Sequence, residues 1–125
     1  MKHNRTLVIA SMLTLVLTSL HFADDVLHDS RGVDTMGTII LLSIMVVYLY
    51  AIVELAGHRA GYVLMFIGGL AAAYMPFLHS MGPRATRWGF EFIWVMMAMA
   101  VTGVFAAILA GRELWRSVRS AQISG

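Results

Sequence analysis

Residues able to ligate a metal ion or move a proton gather early in the chain. The stretch TSLHFADDVLHDSRGVD, residues 18–34, carries His21, His28, Asp24, Asp25, Asp29 and Asp34. The whole chain holds only 5 histidines and 7 acidic residues, so this is a strong local enrichment. Imidazole and carboxylate are ordinary ligands for zinc, iron, manganese and copper. The same groups exchange protons near neutral pH. Ser11, Thr14, Thr18, His21, Asp25 and His28 follow one another at spacings of 3, 4, 3, 4 and 3. That spacing makes one stripe along a helix that continues past Ala23.

Two further groups belong with the stripe if the chain crosses a membrane four times. His79 ends the third apolar segment and Glu91 begins the fourth, and both ends lie on the side where the stripe ends. His21, Asp24, Asp25, His28, His79 and Glu91 are therefore expected to converge on an outward-opening cluster. The cluster is expected to bind a metal ion (zinc, iron or copper) or a cofactor, or to relay protons. Ser11, Thr14 and Thr18 form a polar seam that should face the helix bundle, because unpaired polar groups are costly in hydrocarbon. Pro76 is expected to kink the third helix just below His79.

Other polar residues have plainer readings. Asp34 precedes TMGTII as a helix N-cap, and Asp29 is a solvated boundary residue. Glu54 and His58 stand four apart at a hairpin beside Arg59, a spacing that suits a local contact. The sharper reading makes Glu54 an inner carboxylate coupled to transport.

The elements that position these groups follow from composition. The chain has 125 residues, 59% of them hydrophobic and 13% charged. A soluble domain carries about a quarter charged residues, so the bilayer is the natural solvent for so apolar a chain. It contains no cysteine, which excludes disulfides, thiolate metal sites, iron–sulfur clusters and thiol nucleophiles. There is no phosphate-binding glycine loop and no local hydrolase signature. The net charge of +2 sits beside apolar runs, a pattern that excludes nucleic acid as a partner.

Four apolar segments, at about 6–23 (extending toward 28), 36–56, 59–79 and 89–111, each approach the ~20 residues of a membrane span. Lacking period-two alternation, and obliged to satisfy their own backbone in lipid, they are predicted to be helices of an antiparallel four-helix transmembrane bundle. Residues 112–125, GRELWRSVRS onward from Gly111, read as a basic cytoplasmic tail with Trp115 at the interface. Lys2, Arg5, Arg59, Arg112, Arg116 and Arg119 on one side outweigh Arg31, Arg84 and Arg87 on the other. Both termini are thus expected in the cytoplasm of a cell whose inner membrane holds the protein. MKHNR followed by TLVIASMLTLVLTSL resembles the charged and apolar parts of a signal peptide, but HFA puts His21 where a small residue is required. The first segment is therefore expected to be a retained helix.

Small residues recur at close-packing intervals: Gly57 and Gly61, then Gly68, Ala72 and Pro76, and in the fourth segment Gly103, Ala107 and Gly111. Such stripes serve the bundle itself or a homo-oligomer. Met96, Met97 and Met99 are expected to face lipid or fill gaps. Competing functions are a haem protein with His21 and His79 as axial ligands, a small oligomeric transporter or channel, and an accessory subunit of a larger membrane complex. An enzyme is the least supported, because no catalytic signature is present.

Overall fold

The protein, seen in a computed structural model, is described over residues 4–28, 34–81 and 90–123. It is all-helical there: α1 spans Arg5–His28, α2 Thr35–Val53, α3 Arg59–Ser80 and α4 Phe90–Ile123. Each of the four is long and apolar enough to cross a membrane.

Local chemistry explains where the helices begin and how they keep their polar residues. Asn4 starts α1: its Oδ1 accepts from the Leu7 amide at 3.2 Å, and its carbonyl accepts from Val8. Asp34 caps α2 by accepting the Gly37 amide at 2.9 Å, as its place before TMGTII predicts. Inside the apolar helices, hydroxyls donate back to the preceding turn. Thr14 bonds the Ala10 carbonyl, Thr18 the Thr14 carbonyl, Ser43 that of Ile39 and Thr102 that of Ala98. Each pair closes within its own helix, which suits surroundings without water. Pro76 lies within α3, and the helix continues through it to Ser80.

The α3·α4 pair packs most closely, followed by α1·α4, while α2 is held more lightly. The α3 and α4 backbones approach closely at Gly69 and Gly103. A Cβ built on Gly69 would lie 2.7 Å from the Gly103 carbonyl oxygen, and one on Gly103 would lie 2.6 Å from that of Gly69. Only glycine allows this contact. Gly111 faces Phe66, and the Arg59 guanidinium donates to the Ser117 carbonyl at 2.6 Å. Residue numbers along α4 therefore fall as those along α3 rise. Of the small residues noted from spacing, Gly103, Ala107 and Ala72 lie at the close α3–α4 contact, whereas Gly68 lies under the Tyr48 ring of α2. The α2–α3 connection turns at Gly57, whose φ of 93° is the left-handed conformation that glycine adopts without strain.

Two buried clusters hold the helices together. One joins Leu7, Ala10, Tyr48, Ile52, Tyr62, Met65, Ala106, Leu109 and Ala110. The second joins Ala72 to Met96 and Met99, with Leu17 and Met75 against them. Met96 and Met99 are thus core residues that fill space between helices, whereas Met97 is exposed, which divides the three between the two roles expected of them. Unbranched, polarisable methionine fits the irregular space between α1, α3 and α4.

The fourth helix also runs further than the apolar segment that marks it. No proline interrupts residues 112–123, and Glu113 stabilises the turn by pairing with Arg116 at 2.9 Å. Asn4 Nδ2 donates to the same Glu113 carboxylate at 2.9 Å, tying the start of α1 to this extension. The first part of the segment read as a basic tail is thus helical, as far as Ile123.

Candidate metal centre

The stripe on α1 points inward. Ser11, Thr14 and His21 are buried, and Thr18 is half-buried with its hydroxyl 3.4 Å from the Met99 sulfur. Because the stripe follows the helical period, the same face presents Asp25 one turn beyond His21. There it meets His79, carried on the last turn of α3.

His21, Asp25 and His79 each offer one ligand atom, and these atoms lie within 4.8 Å of one another. His21 Nε2 is 3.5 Å from Asp25 Oδ2, and His79 Nε2 is 3.9 Å from the same oxygen. The imidazoles meet edge to face with ring centroids 4.7 Å apart. Around a tetrahedral zinc ion with bonds of about 2.0–2.2 Å, ligand atoms stand roughly 3.4 Å apart. The two imidazole–carboxylate separations exceed that spacing by only about 0.1 and 0.5 Å. His21 is 5% exposed, His79 16% and Asp25 29%, so the centre is enclosed on the imidazole side and open at the carboxylate.

The His79 ring is oriented by its own helix. Its Nδ1 lies 3.0 Å from the Met75 carbonyl. A carbonyl only accepts, so the ring donates there from Nδ1–H, and Nε2 of the neutral ring carries its lone pair 3.9 Å from the Asp25 carboxylate. A ligating histidine ordinarily donates its second ring nitrogen to a carbonyl or carboxylate in this way.

The remaining candidates fall elsewhere. Asp24 is half-buried, within electrostatic reach of His21 but outside the three-residue group. Glu54 is an exposed C-cap of α2 whose side chain makes no hydrogen bond or ion pair among the described residues. It stands at the end of the molecule opposite His79, separated by the length of α3, roughly 30 Å. The side chains of His28 and Glu91 lie outside the described residues, as do Asp29, Arg31, Arg84 and Arg87. Haem ligation by His21 and His79 does not fit, because two rings in edge contact leave no space for a porphyrin between them.

Sequence reading missed Glu113, which anchors Asn4 and Arg116 at the far end. Its place three residues before Arg116 was the available signal.

No protein-family model, curated protein or solved structure matches this chain.

Proposed function

We propose that the protein is an antiparallel four-span membrane protein that binds a divalent transition-metal ion, zinc above all, through His21, Asp25 and His79. The observation that carries the reading is the convergence of two imidazoles and one carboxylate from α1 and α3, with His79 oriented by the Met75 carbonyl. Two neutral imidazoles and one carboxylate satisfy three positions of a tetrahedral ion and leave the fourth for water or a ligand. Both termini lie in the cytoplasm on this reading, and the centre opens on the outer face of the inner membrane. The arginines at 59, 112, 116 and 119 support that orientation.

A second reading rests on the same geometry. Asp25 stands between the two imidazoles and can pass a proton from one to the other without a metal.

Cobalt(II) separates the two. Titrated into the purified protein, it is expected to give the visible absorption of a tetrahedral nitrogen–oxygen site, saturating at one ion per chain and reversed by zinc. Absorption that persists unchanged in an Asp25→Asn, His79→Ala double variant places the cobalt elsewhere and defeats the proposal.

A further inference from the structure

The groove beside the metal centre has no part in the chemistry described so far. It is a cavity of about 530 Å³ between α1, α2 and α3, with Thr18, Ile44, Tyr48, Ile67, Ala71 and Met75 among its lining. Its volume falls within the ~300–1,000 Å³ typical of ligand pockets. The wall is mostly apolar, and three of its four hydroxyl side chains are satisfied within their own helices. Thr14, Thr18 and Ser43 all line it, and each donates to a carbonyl of its own helix. The groove exists because α2 is buried only at Tyr48, Ala51 and Ile52, near its C-terminal end. Its earlier turns stand away from α1 and α3, with Ile39, Ile40 and Ile44 exposed.

Groove and metal centre lie on the same two helix stripes. Along α1, Thr14 and Thr18 line the groove, and His21 and Asp25 continue the stripe. Along α3, Gly68, Ala72 and Met75 line the groove, and His79 continues the stripe. Both series step by four, three and four residues, so the helices present matched faces. Three residues of helix, roughly 4.5 Å, separate Thr18 from His21, and four, roughly 6 Å, separate Met75 from His79.

We infer that groove and triad form one amphipathic site, which takes a long-chain carboxylate with its head on the metal ion and its alkyl chain in the groove. This rests on the metal reading. Two neutral imidazoles, one carboxylate and a divalent ion leave a net charge of +1, which an anionic oxygen headgroup neutralises. An apolar wall one turn away suits a hydrocarbon chain, and a volume of this size accommodates one chain better than the two of a phospholipid.

The test uses the full-length protein in detergent, with and without stoichiometric zinc, and a palmitate carrying a diazirine in its chain as the probe. Photolabelling should map to the α2 and α3 peptides containing Ile44 and Ile67. It should fall about tenfold when zinc is removed or Asp25→Asn is introduced, the loss of one coordinated headgroup. Palmitate should compete and hexadecanol should not. Ala71→Phe, which fills the groove, should lose labelling and keep zinc. Should that variant fail to fold, zinc dependence and the palmitate–hexadecanol contrast decide the matter on the unaltered chain. Zinc bound, with groove labelling indifferent to zinc and to the headgroup, overturns this inference and leaves the metal reading standing. Labelling spread evenly over exposed faces such as those of Ile9 and Val101 also overturns it. A chain that binds no zinc overturns both.

Discussion

The rings of His21 and His79, from helices far apart in the chain, meet edge to face at 4.7 Å with an interplanar angle of 79°. Asp25 reaches both imidazoles through a single carboxylate oxygen. The pairing depends on α4, which packs against both α1 and α3. Thr18 touches Met99 just below His21, and Gly69 against Gly103 sets how near α3 comes.

That close approach makes the glycines the mechanical control of the site. Gly69→Val or Gly103→Val is expected to push α3 and α4 apart, lowering stability by ~1–3 kcal/mol or more. Thermal unfolding in detergent reads this directly. Metal affinity should fall with it, because His79 rides on α3. Gly37→Ala should leave both unchanged, since Gly37 is exposed and a Cβ there meets only Asp34.

Protons compete with a metal ion for imidazole nitrogens, and imidazole in general titrates near pH ~6.5. Affinity is therefore expected to hold at pH 8 and to fall steeply as the pH drops below about 6, with more than one proton taken up per ion released. Equilibrium dialysis against zinc across this range gives the curve. Affinity that is flat from pH 8 to 5 would assign the binding to carboxylates alone.

The far end of the molecule has its own polar lock. Asn4 caps α1 and also donates to Glu113 on α4. Asn4→Ala should cost about 1 kcal/mol through the cap and a similar amount through the lost contact. A double-mutant cycle with Glu113→Ala isolates the second part, and a coupling energy near zero would show that the contact contributes nothing.

Much of α1 was legible in the sequence, and the reasons are physical. A polar stripe at helical spacing in an otherwise apolar segment has to turn inward, and the burial of Ser11, Thr14 and His21 agrees. Which residue meets the stripe was less legible. His79 lies at the correct end by segment counting, but its approach depends on how α3 and α4 pack, and there the spacing named Gly103, Ala107 and Ala72 but not Gly69. Composition alone also cannot divide methionines between core and surface, so Met96 and Met97 differ in burial though adjacent. The groove was invisible for a related reason. α2 is apolar on every face, so its sequence does not reveal which turns pack and which stand away.

Orientation is open to a direct test because the chain contains no cysteine. Cysteine placed at Ser80, exposed at the end of α3, should react in intact cells with an impermeant thiol reagent. Cysteine at Ser120, exposed on the α4 extension, should react only after the cells are opened. The reverse pattern would put the His21, Asp25 and His79 cluster on the cytoplasmic side.

Elemental analysis of the purified protein after zinc loading and desalting tests the central claim most directly, with His21→Ala and Asp25→Asn measured beside it. One zinc per chain, retained by the unaltered protein and lost from both folded variants, is the result the metal centre requires. A metal-free chain, or zinc retained equally by all three, would contradict it.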